Sequence, residues 1–72
     1  MKLTRRRLQI LRLMANGYGD QEIADRLSLS IHTVRDHYRY GIKRELGARN
    51  REHAVAIGFA AGVLSIKDLH LP

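Results

Sequence analysis

No proline occurs before residue 72, so nothing along the chain forbids an almost entirely helical fold. Apolar spacing and glycine position then decide where helices run and stop. From Thr4 to Asn16, Leu8, Leu11 and Ala15 form one stripe, widened by Ile10, Leu13 and Met14, and Gly17-Tyr18-Gly19 ends it. Asp20 is a suitable N-cap for a short helix with Ile23, Ala24 and Leu27 facing inward. Ser28-Leu29 reads as a turn and Ser30 as the next cap. Val34, Tyr38, Ile42 and Leu46 then recur four apart until Gly47, and Asn50 caps a last helix running to about Leu64. No stretch alternates with a strand period. The expected fold is all-α, with four helices at about 4–16, 20–27, 30–46 and 50–64, residues 1–65 forming one domain and 66–72 a tail.

Seventy-two residues bury little apolar surface, and without cysteine neither a disulfide nor a thiolate metal site can staple the fold. Tight helix packing or self-association must compensate. The reducing cytoplasm is the natural compartment. Thirteen Lys and Arg against seven Asp and Glu leave a charge of +6, which points to a polyanion. No apolar run is long enough to span a bilayer, and the N-terminus lacks a signal-peptide core, so no membrane partner is expected. Histidines 32, 37 and 53 form no i, i+4 His pair, so no metal site is expected, and His37 should pack beside Tyr38. Neither a triad in turn context nor a phosphate loop is present, and no enzyme or cofactor is expected.

The second and third helices, joined by a short turn, have the helix-turn-helix pattern. Ala24 permits close approach, Leu29 would plug the angle, and Val34 would pack beneath. Opposite the apolar row of the third helix stand His32, Arg35, Asp36, Arg39 and Lys43, with Arg35, Arg39 and Lys43 at i, i+4, i+8. Arginine pairs with guanine O6 and N7 in the major groove, and aspartate accepts from cytosine N4. Ser30, His32 and Thr33 at the helix start suit DNA phosphate.

At these positions the chain resembles the LuxR-type (GerE-like) helix-turn-helix domain of bacterial transcription regulators. The resemblance rests on Leu3-Thr4 with Arg6, Gly17, Asp20-Gln21-Glu22-Ile23-Ala24, Leu27 through His37, Leu46 through Arg51, and Ala54, and it covers about residues 3–62. It implies sequence-specific binding of double-stranded DNA, with Arg35, Asp36 and Arg39 facing bases and Thr33, Lys43 and Gln21 at phosphates. It also implies a homodimer through the last helix on an inverted repeat. RNA polymerase is a further candidate partner. With Met1 directly before the motif, the chain resembles the stand-alone minority of the family or a domain cut at that boundary.

Two positions depart from the family. Arg7 stands where Glu is usual, removing the reciprocal half of a capping box with Thr4 and placing Arg5, Arg6 and Arg7 in a first turn that disfavours cations. Either that turn frays or, the favoured reading, the cluster meets an anion such as DNA backbone. Between His37 and Leu46 the chain also has one residue more than is common. In a regular helix that residue rotates the downstream positions by about 100°, loosening the transfer of Lys43 and the dimer helix. From Ala54 to Leu64 there is no charge. Ala54, Ile57, Ala61 and Leu64 are expected inward, leaving Val55, Gly58, Phe59 and Gly62 as a dimer face unless the tail from Ile66 to Leu71 folds over it. The alternative from another class is a small basic helical module that binds an acidic regulator or polymerase surface.

Overall fold

A computed structural model describes residues 2–70, and all its regular elements are helical. Helix α1 (Arg5–Ala15) begins where the Thr4 hydroxyl accepts from the Arg7 N–H at 3.2 Å, and the chain leaves it through Gly17 at φ +85°. Helix α2 (Asp20–Leu27) is capped by Gly19, whose N–H donates to Glu22 Oε1 at 3.0 Å. The expected cap Asp20 is instead the first helical residue, which frees its carboxylate for other partners. Ser28 takes a left-handed conformation, φ 55°, that closes the turn after α2.

Helix α3 covers residues 31–46 in three parts: an α-helical Ile31–Asp36, a π-helical His37–Ile42 and an α-helical Lys43–Leu46. Ser30 caps it, accepting from the Thr33 N–H at 3.0 Å, and Gly47 ends it at φ 66°. The widened middle follows from the apolar spacing. A row repeating every four residues drifts about 40° per step round an α-helix of 3.6 residues per turn, so Leu46 would lie roughly 120° from Val34. Within the π segment the Lys43 N–H reaches back five residues to the Tyr38 carbonyl, and that turn absorbs one residue. Val34 and Ile42 are both 0% exposed and Leu46 is 7% exposed, so the row stays on one face. The residue in excess of the family pattern falls in this widened turn, and Ile42 and Leu46 stay on the core side with Val34.

Helix α4 (Arg51–Ala60) is capped by Asn50, whose Oδ1 accepts from the His53 N–H at 2.8 Å, while His53 Nδ1 accepts from the Arg49 N–H at 3.0 Å. It ends before the expected Leu64. Gly62, at φ +76°, turns the chain, and the N–H groups of Val63 and Leu64 both donate to the Gly58 carbonyl at 2.9 Å. Leu64 returns against Gly58, while Ala61, expected inward, is exposed. The described part of the tail is tied to α1. A short 3₁₀ turn, Ile66–Asp68, crosses to the end of α1, where Arg12 Nε lies 3.0 Å from Asp68 Oδ1. Asn16 there donates to the Asp68 carbonyl and accepts from the His70 N–H. Leu71 and Pro72 of the expected tail lie outside the described residues.

One core joins all four helices: Ile10, Leu11 and Met14 from α1, Ile23 and Ala24 from α2, Val34, Ile42 and Leu46 from α3, and Ala54 from α4, with Leu64 closing it. α1 and α4 thus form the base on which α2 and α3 stand. The Tyr38 hydroxyl is buried beside this core with no hydrogen-bond partner among the described residues. An unpaired buried hydroxyl costs about 1–3 kcal/mol. Tyr38→Phe is therefore expected to raise the thermal midpoint by several degrees. A lower midpoint on melting would show that the hydroxyl has a partner.

Candidate nucleic-acid interface

Because α3 puts Val34, Ile42 and Leu46 into the core, its opposite side faces solvent. His32, Arg35, Asp36, Arg39 and Tyr40 are exposed there, and Thr33 and Lys43 are half-buried beside them. Arg35, Arg39 and Lys43 line one hollow together with Asp20, Tyr38 and Arg51, so the structure brings the expected cationic row together. Thr33, Asp36, His37 and Tyr40 line a second hollow on the side toward α1, closed by Arg7.

Several expected contacts already have partners within the chain. Arg35 Nε donates to Asp20 Oδ2 at 3.3 Å, and Arg51 Nη1 donates to Asp20 Oδ1 at 2.6 Å while its Nη2 donates to the Tyr18 carbonyl at 2.6 Å. Burial alone would raise the Asp20 carboxyl, but the hydrogen bonds and charges of Arg51 and Arg35 hold it below its usual value. Asp20 thus ties α2 to α3 and α4. The Arg35 side chain is 53% exposed, so that pair is weakly held and can yield to a stronger anion. Ser30 Oγ caps α3 and lies 2.9 Å from the Thr33 hydroxyl, and Gln21 Nε2 donates to Asp25 Oδ1 at 2.9 Å. For Ser30 and Gln21 a phosphate contact requires exchange of these bonds.

The arginine cluster at the start of α1 does not fray the helix. The turn is formed, and Arg7 reaches α3, its Nε donating to His37 Nδ1 at 3.4 Å. Its side chain lies where a Cβ on residue 41 would stand, and only glycine leaves that space. The Arg7–Gly41 contact thus fits α1 against the bulge. Burial, then the charges of Arg7 and Arg6, hold the His37 imidazole below its usual value, opposed by Asp36. The neutral ring is favoured by folding. His37 therefore contributes stability above its ordinary value of 6.5, which is lost as pH falls through the lowered one. Urea midpoints are expected to fall as pH drops from about 6.5 toward 5, and Arg7→Gln should shrink that fall. Equal pH dependence in both proteins would contradict the coupling.

Two features escape the sequence reading. Asp20 is a junction of three helices, which its likeness to a cap conceals. Tyr40 is 51% exposed, with the guanidinium carbons of Arg44 and Arg39 at 5.2 and 5.9 Å from its ring centre. Its place between basic residues was the available signal. On α4, Val55 and Phe59 are half-buried, and Gly58 is not on the outer face. A Cβ there would stand 2.9 Å from Leu64 Cδ1 and 3.3 Å from Leu11 Cδ2, so Gly58 serves the chain's own core. Gly62 lies past the helix end. The outward apolar positions of α4 are instead Ala56 and Ala60, flanked by Val55 and Phe59.

The sequence profile of GerE, bacterial regulatory proteins of the luxR family, matches residues 1–57. The chain is similar to the oxygen regulatory protein NreC of Staphylococcus aureus, strains JH9, JH1 and Mu3, with 42% identity over 53 residues in each. The match covers 74% of this chain and 24% of each relative, so the chain spans about a quarter of the length of these relatives.

Proposed function

The chain belongs to the luxR family of bacterial regulatory proteins, as one of its DNA-binding helix-turn-helix domains, and on that premise we propose that it reads double-stranded DNA by sequence, with α3 in the major groove. The observation that carries this reading is the exposed face of α3, where Arg35, Asp36 and Arg39 stand opposite a fully buried Val34 and Ile42. Arg35 and Arg39 suit guanine and Asp36 suits cytosine. Thr33, His32 and Lys43 border that face and suit phosphate, with Ser30 and Gln21 joining after exchange of their present bonds. In this reading Asp20 holds Arg35 extended until a base edge replaces it.

A second copy docks through the outward face of α4, with Val55, Ala56, Phe59 and Ala60 meeting their equivalents, and each protomer reads half of an inverted repeat. Support comes from the run of α4 without charge from Ala54 to Ala60 and from the small core of a 72-residue chain. No helix among the described residues is long and apolar enough to cross a membrane. The site of action is the cytoplasm, where the DNA lies, and no catalysis is proposed.

Binding to a selected duplex, titrated against salt, tests this reading. Arg39→Ala is expected to cost about 1–3 kcal/mol on the selected site and to relax preference at one base pair. Lys43→Ala should weaken all duplexes alike and lower the salt slope by about one. Equal loss on every sequence for Arg39→Ala would reduce Arg39 to a phosphate contact. Binding to an acidic protein surface with no salt-sensitive DNA affinity would favour the protein–protein module instead.

A further inference from the structure

Tyr40 is one of two large apolar side chains that stand mostly in solvent among the described residues, the other being Ile66 in the tail. It lies within the widened turn, where nothing in the core requires an aromatic ring. His32, Asp36 and Tyr40 follow one another at i, i+4, i+8 and are all exposed, so the ring continues the row of Asp36 alongside the row of Arg35 and Arg39. Asp36 and Tyr40 also line the same hollow. The guanidinium groups of Arg39 and Arg44, at 5.9 and 5.2 Å from the ring centre, restrict its motion, as cations over an aromatic face do. A half-exposed ring held in one orientation loses little freedom on binding.

In the major groove each base edge offers donors and acceptors, and the thymine 5-methyl is the apolar feature among them. We propose that Tyr40 is a base-reading residue whose ring packs on the 5-methyl group of a thymine, next to the base pair met by Arg39. The proposal rests on the DNA-reading function above. It divides the face of α3 in two. The arginine row addresses guanines, while Asp36 and Tyr40 address the two pyrimidines, cytosine through its amino group and thymine through its methyl. The bulge matters because it sets where the ring stands relative to Asp36 without moving Ile42 from the core.

The test uses the selected duplex with each thymine replaced singly by uracil, which removes only the methyl. For the wild-type chain, one replacement per half-site is expected to weaken binding about fourfold, the worth of one buried methyl. Tyr40→Ala should bind the unmodified duplex about tenfold more weakly, respond to no replacement at that position and keep its salt slope, since no charge is lost. Tyr40→Phe should behave as wild type toward the replacement. Tyr40→Ala that binds as tightly as wild type, or loses affinity yet still distinguishes thymine from uracil at that position, would overturn the assignment. Failure of the wild-type chain to bind any duplex would instead overturn the DNA-reading function. Helical circular dichroism of each variant confirms folding, and an exposed residue should change it little.

Discussion

Ile42→Ala is expected to cost about 2–5 kcal/mol of folding free energy, the usual penalty for truncating a fully buried aliphatic side chain. A domain of 72 residues has roughly 4–11 kcal/mol of total stability, so this one change removes much of it. Ile42 is 0% exposed and ends the π segment, where α3 meets α1. Its loss leaves a cavity at the point that orients the recognition surface. Urea denaturation should show a large drop in midpoint, whereas Ile66→Ala, at a position 67% exposed, should change it little. A loss below about 1 kcal/mol for Ile42→Ala would mean that the apolar row leaves the core at the bulge, contrary to the structure.

Phe59→Glu is expected to convert the proposed dimer to a monomer by sedimentation. Two half-sites held by one dimer bind as a linked pair, so its loss should weaken affinity for the full inverted repeat by about 10²–10⁴. Affinity for a single half-site should hardly change. Phe59 is half-buried against its own core, and a glutamate there also strains the monomer. Ala60→Glu places the charge on an exposed residue of the same face and should give the same result in a stable chain. Persistence of the dimer in both variants would refute this interface.

Local chemistry made most helix ends legible. Ser30 and Asn50 carry side-chain oxygens that accept from N–H groups three residues on, and Gly17 and Gly47 take the left-handed conformations their positions implied. Asp20 misled because an aspartate before an apolar run has the composition of a cap whether or not it is one. Here Gly19 and Glu22 complete the cap, and two arginines distant in sequence claim the carboxylate. The end of α4 was misplaced for a related reason. Apolar residues continue to Leu64, and periodicity does not distinguish a helix from a chain that turns at Gly62 and returns.

The bulge was present in the sequence as two clues that pointed the same way. The row from Val34 to Leu46 has a spacing too long for an α-helix, and one residue more than the family pattern lies in the same interval. A single wide turn satisfies both, and it keeps Ile42 and Leu46 in the core. Arg7 could not be read locally, since its partners His37 and Gly41 are brought to it only by the packing of α1 on α3. Of the exposed face, Arg35, Asp36 and Arg39 were legible because charge and helical spacing together single them out. Tyr40 was not, because an aromatic residue at that spacing more often belongs to a core.

Selection of binding sites from random duplex DNA tests most directly whether α3 reads sequence. Enrichment of a single motif is expected, with two half-sites in inverted orientation, guanine or cytosine at the positions facing Arg35, Asp36 and Arg39, and a thymine beside them. Recovery of random sequence after repeated rounds, with binding that depends on salt alone, would contradict sequence reading by α3.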